Sequence, residues 1–251
     1  MIQKIYNKPL YYEIAFSFIN IKKQINLFEK FIKKYSKVKV KRVLDIACGP
    51  SLQLRELARR GYQGIGLDSN LKMLVYLKQK AKEKGLAIDT EKADMKHFNI
   101  KKKVDFAFIM MGSFKFRNND ELLSHLDSVA NSLRKGGLYL IENLELDWPN
   151  FKPQSWIIKR NGVRIKTVYK VILQNALSQT FKEEIFLQVN DKGVKQTFKE
   201  KEIIKYVCPQ EFLLLLNLNK RFEFVGWFEH SKLRKLKNAR GDNFVILRKK
   251  M

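Results

Sequence analysis

VLDIACGPS, residues Val43 to Ser51, is the stretch on which the fold turns. The run from Arg42 to Cys48 is short and mostly apolar, which suits a buried parallel strand. Gly49, Pro50 and Ser51 break it, and a helix is expected from Ser51 to Arg60, with Gly61 ending it in the left-handed manner. A strand running into a glycine turn that opens a helix brings backbone amides close to a ligand. A second segment, GIGLDSNLKML from Gly64 to Leu74, follows at once. Its Asp68 closes the next strand about twenty residues after the turn, where a carboxylate can accept both hydroxyl protons of a ribose.

The same alternation continues downstream. Strands are expected at Gln63 to Leu67, Ala87 to Lys92, Val104 to Met110 and Leu138 to Glu142. Helices are expected at Asn70 to Lys84 and Asp120 to Leu133, the second stopped by Gly136 and Gly137. Two late strands, Phe222 to Phe228 and Asn243 to Leu247, complete the set after a helix that opens at Pro209. The pattern predicts an α/β, Rossmann-like doubly wound fold: a mostly parallel seven-stranded sheet with helices on both faces. Between residues 151 and 207 the hydrophobic period changes to two. Val163, Ile165, Thr167, Tyr169 and Val171 alternate with polar neighbours after an Asn161-Gly162 turn, and a second hairpin crosses Asn190 to Gly193. This is a small antiparallel β insertion, expected to lie over the parallel sheet. Upstream, Ile14, Phe18, Ile21, Ile25, Phe28 and Ile32 fall on one helical stripe, an amphipathic leading helix or two. The expected organisation is a helical lid at 1–40, a ligand-binding domain at 41–150 and 208–251, and the insertion at 151–207.

Composition adds boundaries. A chain of 251 residues holds one substantial α/β domain with a modest insertion. Cys48 and Cys208 are far apart and neither belongs to a CxxC pair, so no disulfide framework or metal site is expected, and a reducing cytoplasm fits. No run of about eighteen apolar residues occurs, so no membrane partner is expected. The formal charge of +25 admits a nucleic-acid partner, but lysine is spread along the whole chain, which equally describes a solvated basic surface.

A nicotinamide dinucleotide is the natural competitor for the pocket, but its fingerprint wants GxGxxG, and the glycine positions here read Ala47, Gly49 and Ser51. The stretch instead resembles motif I of the class I S-adenosylmethionine-dependent methyltransferases, D-x-G-C-G-x-G. GLDSNLKML, Gly66 to Leu74, resembles their second motif, and KADM, Lys92 to Met95, resembles the segment that holds the adenine. The resemblance covers roughly residues 40 to 145. It implies S-adenosylmethionine as cofactor and S-adenosylhomocysteine as product. It also implies roles for single residues: Asp45 at the methionine amino group, Ala47 and Gly49 at the methionine portion, Asp68 on the ribose, Ser69 beside the adenine, Asp94 on its exocyclic amine and the Met95 backbone at the ring edge. Met73 and Met110 complete the implied cofactor set. Ala47 and Ser51 depart from the glycines of the motif. By the same resemblance Tyr12, with Tyr11, is a candidate lid residue, Glu142 and Asn143 at the end of the fifth strand are candidates for acceptor handling or catalysis, and Ser113 and Phe114 occupy a specificity loop. His97, His125 and His230 are expected to be solvated or packed.

Three functions remain open at this point. The antiparallel insertion after the fifth strand resembles the roof over the acceptor pocket of small-molecule methyltransferases, which implies transfer to an N or O atom of a small molecule. The charge, with Lys232, Arg234, Lys235, Lys237 and Arg240, favours RNA, although MMGSFKF after the fourth strand replaces the Asp/Asn-Pro-Pro-aromatic loop of many base methyltransferases. A non-catalytic cofactor-binding or partner subunit is the third. Oligomeric state is not legible.

Overall fold

The computed structural model describes residues 4–144, 152–237 and 242–251. Six strands and three helices of the sheet half follow the expected alternation: β1 (Arg42–Ile46), β2 (Gln63–Asp68), β3 (Ile88–Lys92), β4 (Val104–Ile109), β5 (Leu133–Glu142) and β11 (Asn243–Lys249), with α3 (Leu52–Arg59), α4 (Leu71–Lys82) and α5 (Asn119–Ser132) between them. Together with β10 (Phe222–Glu229) they form a seven-stranded sheet in the order β10-β11-β5-β4-β1-β2-β3. All neighbours pair in parallel except β11, which is antiparallel to both β5 and β10. This is the predicted doubly wound, mostly parallel architecture.

Every residue of β4 is buried because helices cover both faces. On one face α2 (Ile21–Tyr35) lays Phe28 edge-on to Phe106 and Phe244, and Phe31 edge-on to Phe228. On the other, Leu122, Leu126 and Val129 of α5 and Phe212, Leu215 and Leu216 of α6 (Pro209–Asn219) pack over Ala107, Tyr139 and Val245. Burying a large aromatic contributes about 1.5–3 kcal/mol, so these layers fix the sheet.

Two expectations are corrected. The stripe from Ile14 to Ile32 is broken at Phe16–Asn20 into α1 (Pro9–Ala15) and α2, the second capped by the Asn20 side chain, which accepts from the Lys23 amide at 3.0 Å. Phe18 therefore leaves the buried stripe and is 60% exposed. The other concerns Gly136 and Gly137, which do not stop α5. That helix ends at Ser132, and Leu133 is already extended. The glycines lie inside β5 at an irregularity in its pairing with β4. Gly136 has a φ of 82°, and a Cβ on Gly137 would stand 2.6 Å from the Asp105 carbonyl oxygen. Glycine is required by this backbone approach, not by helix termination.

The insertion is a four-stranded meander, β6 (Gln154–Arg160), β7 (Val163–Asn175), β8 (Thr180–Asp191) and β9 (Val194–Lys205). Its expected boundary near 150 falls outside the described residues. The meander is tied to α1 and to the loop after β4 by several hydrogen bonds. Trp156 Nε1 donates to the Ala15 carbonyl at 2.8 Å, Tyr11 donates its hydroxyl to Asp191 at 2.9 Å, and the Lys205 amide donates to the Phe116 carbonyl at 2.6 Å. Register places Phe181, Glu183, Ile185, Leu187 and Val189 of β8 on the inner face, and Lys182, Glu184, Phe186 and Gln188 on the outer.

Replacing Gly137 by alanine forces its methyl group into a backbone carbonyl that cannot rotate away. Gly137→Ala should lose about 3 kcal/mol of stability, read as a lower midpoint in urea unfolding with an unchanged slope.

Candidate functional site

After β1 the chain turns through left-handed backbone at Ala47 (φ 54°), Gly49 (φ 51°) and Ser51 (φ 34°). For Ala47 and Ser51 that conformation costs roughly 1–2 kcal/mol each. Ser51 offsets it with two bonds: its Oγ accepts from the Leu54 amide at 3.0 Å, capping α3, and its hydroxyl donates to the carboxylate of Asp45. The turn is tied to the second strand as well. The Cys48 amide donates to the Leu67 carbonyl at 2.9 Å, and the Gly49 amide donates to Oδ2 of Asp68 at 2.8 Å. Oδ1 of Asp68 accepts from the Asn70 amide at 2.8 Å, and Asn70 caps α4.

Two carboxylates thus stand at adjacent strand ends, and their electrostatics are strained in the same sense. Asp45 is 3% exposed. Burial pushes its carboxyl well above the usual range, against the Ser51 hydrogen bond, and Asp68 and Glu142 add repulsion. Burial also raises Asp68, while amides of Asn70, Gly49 and Ser69 hold it down. Among the described residues no Lys, Arg or His is ion-paired with either carboxylate. Over them lies Tyr12 of α1, its ring 3.9 Å from the position of a Cβ on Gly49. Burial raises its phenol, with further contributions from Asp68, Glu183, Glu142 and Asp45. Tyr12 therefore stands where floor and roof meet.

Glu142, at the end of β5, is buried and already engaged. Its Oε1 accepts from Gln24 Nε2 at 3.1 Å and from His230 Nε2 at 2.5 Å, and its Oε2 accepts from the Met111 amide. Gln53 of α3 donates to Gln24 at 3.0 Å, extending the chain of bonds beneath the glycine turn. Desolvation would lower the His230 imidazole, but the bond and charge of Glu142, with Asp242, raise it overall. Its ring stacks on Phe244 with centroids 4.6 Å apart. Asn143 (φ 53°) joins β5 to β11, its amide donating to the Asn243 carbonyl at 2.9 Å and its Oδ1 accepting from the Asn243 amide at 3.1 Å. Met110 is buried beneath the sheet edge, and Met111 and Gly112 carry the chain onward in left-handed backbone.

The remaining implied cofactor residues lie along the neighbouring strand ends. Ser69 and Asp94 are exposed, Met95 is half-buried, and Met73 is buried in the first turn of α4. Asp94 accepts from the Lys96 amide at 2.9 Å. His125 Nδ1 lies 2.6 Å from the Met95 carbonyl, and its Nε2 lies 2.7 Å from the Tyr139 hydroxyl. Burial lowers this imidazole to about 4. It is thus neutral near pH 7, and since a carbonyl only accepts, Nδ1 carries the proton and Tyr139 donates to Nε2. His125 is packed, as expected, and fixes the carbonyl of Met95. His97 Nδ1 meets Ser124 Oγ at 3.2 Å.

The roof contributes residues that sequence reasoning did not single out. Glu183 is buried and accepts from the Tyr169 hydroxyl and the Lys115 ammonium. Glu200 and Glu202 share its face, Glu202 directly opposite Glu183 in the register and Glu200 opposite Ile185. Burial raises both carboxyls, Lys4 opposing the shift at Glu200 and Lys115 at Glu202. The Tyr6 phenol lies among them, raised by burial and then by Tyr12, Glu183, Glu202 and Glu200. A signal was present: Glu183 occupies the apolar phase of Phe181, Leu187 and Val189, where a charge is out of place. Away from this cleft, Arg234 of the basic loop pairs with Glu229 at 2.5 Å, and Arg240 lies outside the described residues.

Residues 43–137 match the family model described as a methyltransferase domain. A ubiquinone biosynthesis O-methyltransferase of Bradyrhizobium diazoefficiens is 27% identical over 131 residues, 49% of this chain and 48% of that protein, so the chain spans about half the length of the curated relative it matches. Among solved structures, an S-adenosylmethionine-dependent methyltransferase from Clostridium acetobutylicum superposes with a TM-score of 0.80 at 16% identity, covering 98% of this chain and 99% of that one. A sugar N-methyltransferase from Streptoalloteichus gives 0.76 at 14%, covering 100% and 95%. At such identities the superpositions show a common fold, roof included.

The raised carboxyl of Asp45 has a direct consequence for stability. The folded state binds its proton more tightly than the unfolded chain, so ligand-free stability is fully present below the usual aspartate value of about 3.9 and falls as pH rises towards the raised value. Asp45→Asn removes that loss, and its advantage in thermal melting over the unsubstituted protein should widen by a few degrees between about pH 5 and about pH 8.

Proposed function

We propose that the chain, whose residues 43–137 match the methyltransferase-domain model, transfers the methyl group of S-adenosylmethionine to an N or O atom of a small molecule, leaving S-adenosylhomocysteine. The donor set fits this cofactor. Asp45 is a buried carboxylate without a cationic partner among the described residues, the complement of a methionine ammonium. Asp68 accepts the Gly49 amide on Oδ2 and the Asn70 amide on Oδ1, with the Ser69 amide also acting on it, and its remaining acceptor capacity suits a ribose hydroxyl. Ser69, Met73, Asp94, Met95 and Met110 would line the adenosine side, and Ala47 and Gly49 the methionine side.

The cofactor, when bound, supplies an activated methyl group on a cationic sulfur. What remains for the chain is placement and exclusion of water. Holding the acceptor in line is worth on the order of 7–11 kcal/mol of barrier, and Tyr12, over the Gly49 turn, closes the floor from above. Glu142 has three of its lone pairs occupied, so it is suited to orient Met111 and the acceptor-side loop rather than to serve as a free base.

The observation that carries the choice of acceptor is the sign of the cleft. In a chain of charge +25, the roof turns Glu183, Glu200 and Glu202 inward above Asp45, Asp68 and Glu142. Such a lining disfavours a phosphate-bearing acceptor and favours a compact amine: it attracts the ammonium form, which gives up a proton to a roof carboxylate or to water before the nitrogen lone pair attacks the methyl group. The sugar N-methyltransferase fold of the Streptoalloteichus protein is consistent with that class.

Two measurements test the reading. Calorimetry with S-adenosylhomocysteine should show binding that Asp68→Ala weakens by about 100-fold, the worth of two lost hydrogen bonds to a charged group. Incubation with methyl-labelled S-adenosylmethionine and separated cell fractions should place label in the amine-containing small-molecule pool. Label in RNA or protein alone would overturn the acceptor class while leaving the cofactor site intact.

A further inference from the structure

The positive charge that the sequence spreads along the chain is concentrated by the meander on one surface. Outer-face positions are fixed by register: Lys159 lies opposite Arg164, Lys166 opposite Ile157 and Gln188, Lys170 opposite Glu184, and Glu184 in turn opposite Lys201. Among the described residues Glu184 is the one carboxylate on that face, and it is shared between Lys182, Lys199 and Lys201 at 3.4–3.6 Å. The carboxylates of the opposite face point into the cleft, so a random scatter of lysine does not account for the arrangement. Apolar side chains stand in the open among these cations: Ile157 beside Lys166, and Ile172 (41% exposed) and Ile203 (45%) flanking Lys182. At that same end the β7–β8 turn holds Leu177, 98% exposed.

We propose that the outer face of the antiparallel sheet is a docking surface for an anionic lipid bilayer, with Leu177 at its leading tip. Lysines would meet the headgroups, and the aliphatic side chains between them would enter the headgroup boundary, where exposed leucine and isoleucine gain burial. Charge alone would suit a nucleic acid equally, but a surface for exposed bases uses aromatic platforms. Here Phe186 is half-buried, and Tyr169 and Trp156 belong to the inner face. Among the described residues no helix is long and apolar enough to cross a membrane. The sequence expectation of no membrane partner rested on the lack of such a span, and a peripheral surface needs none.

The test is co-sedimentation of the full chain with vesicles of equal parts phosphatidylglycerol and phosphatidylcholine, against vesicles of phosphatidylcholine alone. Binding is expected to the first, weakened by raising salt from about 50 to about 300 mM, and not to the second. Lys166→Glu with Lys199→Glu should reduce partitioning at least tenfold, and Leu177→Asp several-fold. Both variants are surface changes, so their thermal unfolding should stay within about 3 °C of the unsubstituted protein, separating lost docking from lost folding. Absence of binding to the anionic vesicles at low salt overturns the proposal, as does equal binding to both vesicle types. A random-sequence RNA oligonucleotide bound by the protein while vesicles are not would assign the face to nucleic acid instead.

Discussion

The carboxylate of Asp68 is the constraint from which the site is built. By accepting the Gly49 amide on one oxygen and the Asn70 amide on the other, each at 2.8 Å, it fastens the glycine turn to the neighbouring strand and starts α4. The turn can then afford left-handed backbone at Ala47 and Ser51, because its amides are already directed and Ser51 recovers a cap. Replacing glycines of the motif with these residues therefore leaves the turn's shape intact. Asp45 is held beside it with the hydroxyl of Ser51 as partner. The free protein keeps two partly frustrated carboxylates side by side, which a cationic ligand relieves; frustration of this kind marks functional sites.

The antiparallel sheet acts as a dielectric and electrostatic divider. Its period of two sends one set of side chains inward and the other outward, so a single meander carries a carboxylate lining and a lysine exterior. Net charge therefore says little about what enters the cleft. A formal +25 at the level of the chain coexists with carboxylates gathered on the inner face of the meander.

Much of this was legible in the sequence. The alternation from Val43 to Glu142 specifies a parallel sheet because each apolar run is short and each intervening helix has one apolar stripe. The Asn161-Gly162 and Asn190 to Gly193 turns specify the meander because the flanking period is two. A stripe of one helix or two was legible, but the place of the break at Phe16–Asn20 was not, since Phe18 sits in phase with the stripe and only the Asn20 cap marks where the second helix starts. Gly136 and Gly137 were ambiguous in principle: a helix stop and a strand irregularity both ask for glycine, and the deciding fact, the Asp105 carbonyl beside Gly137, comes from a neighbouring strand. Glu142 could be placed at a strand end, but Gln24 and His230 come to it from 118 and 88 residues away.

Those distant partners tie α2, α3, β5 and the Met111 loop together. Gln53 on α3, Gln24 on α2, Glu142 on β5, the Met111 amide and His230 after β10 form one continuous set of hydrogen bonds. Gln24, Gln53 and Glu142 are buried, so removing one member leaves an unpaired polar group, at a cost of about 1–3 kcal/mol for a neutral one and more for a charge. Movement of α2 relative to the sheet would break Gln24 from Glu142 unless Gln53 and the Met111 loop moved as well. The helix under the glycine turn and the loop facing the acceptor are consequently held in one geometry by a single carboxylate. Tyr12 of α1, beyond the break at Phe16–Asn20, stands outside this set of bonds and reaches the Gly49 turn from the other side.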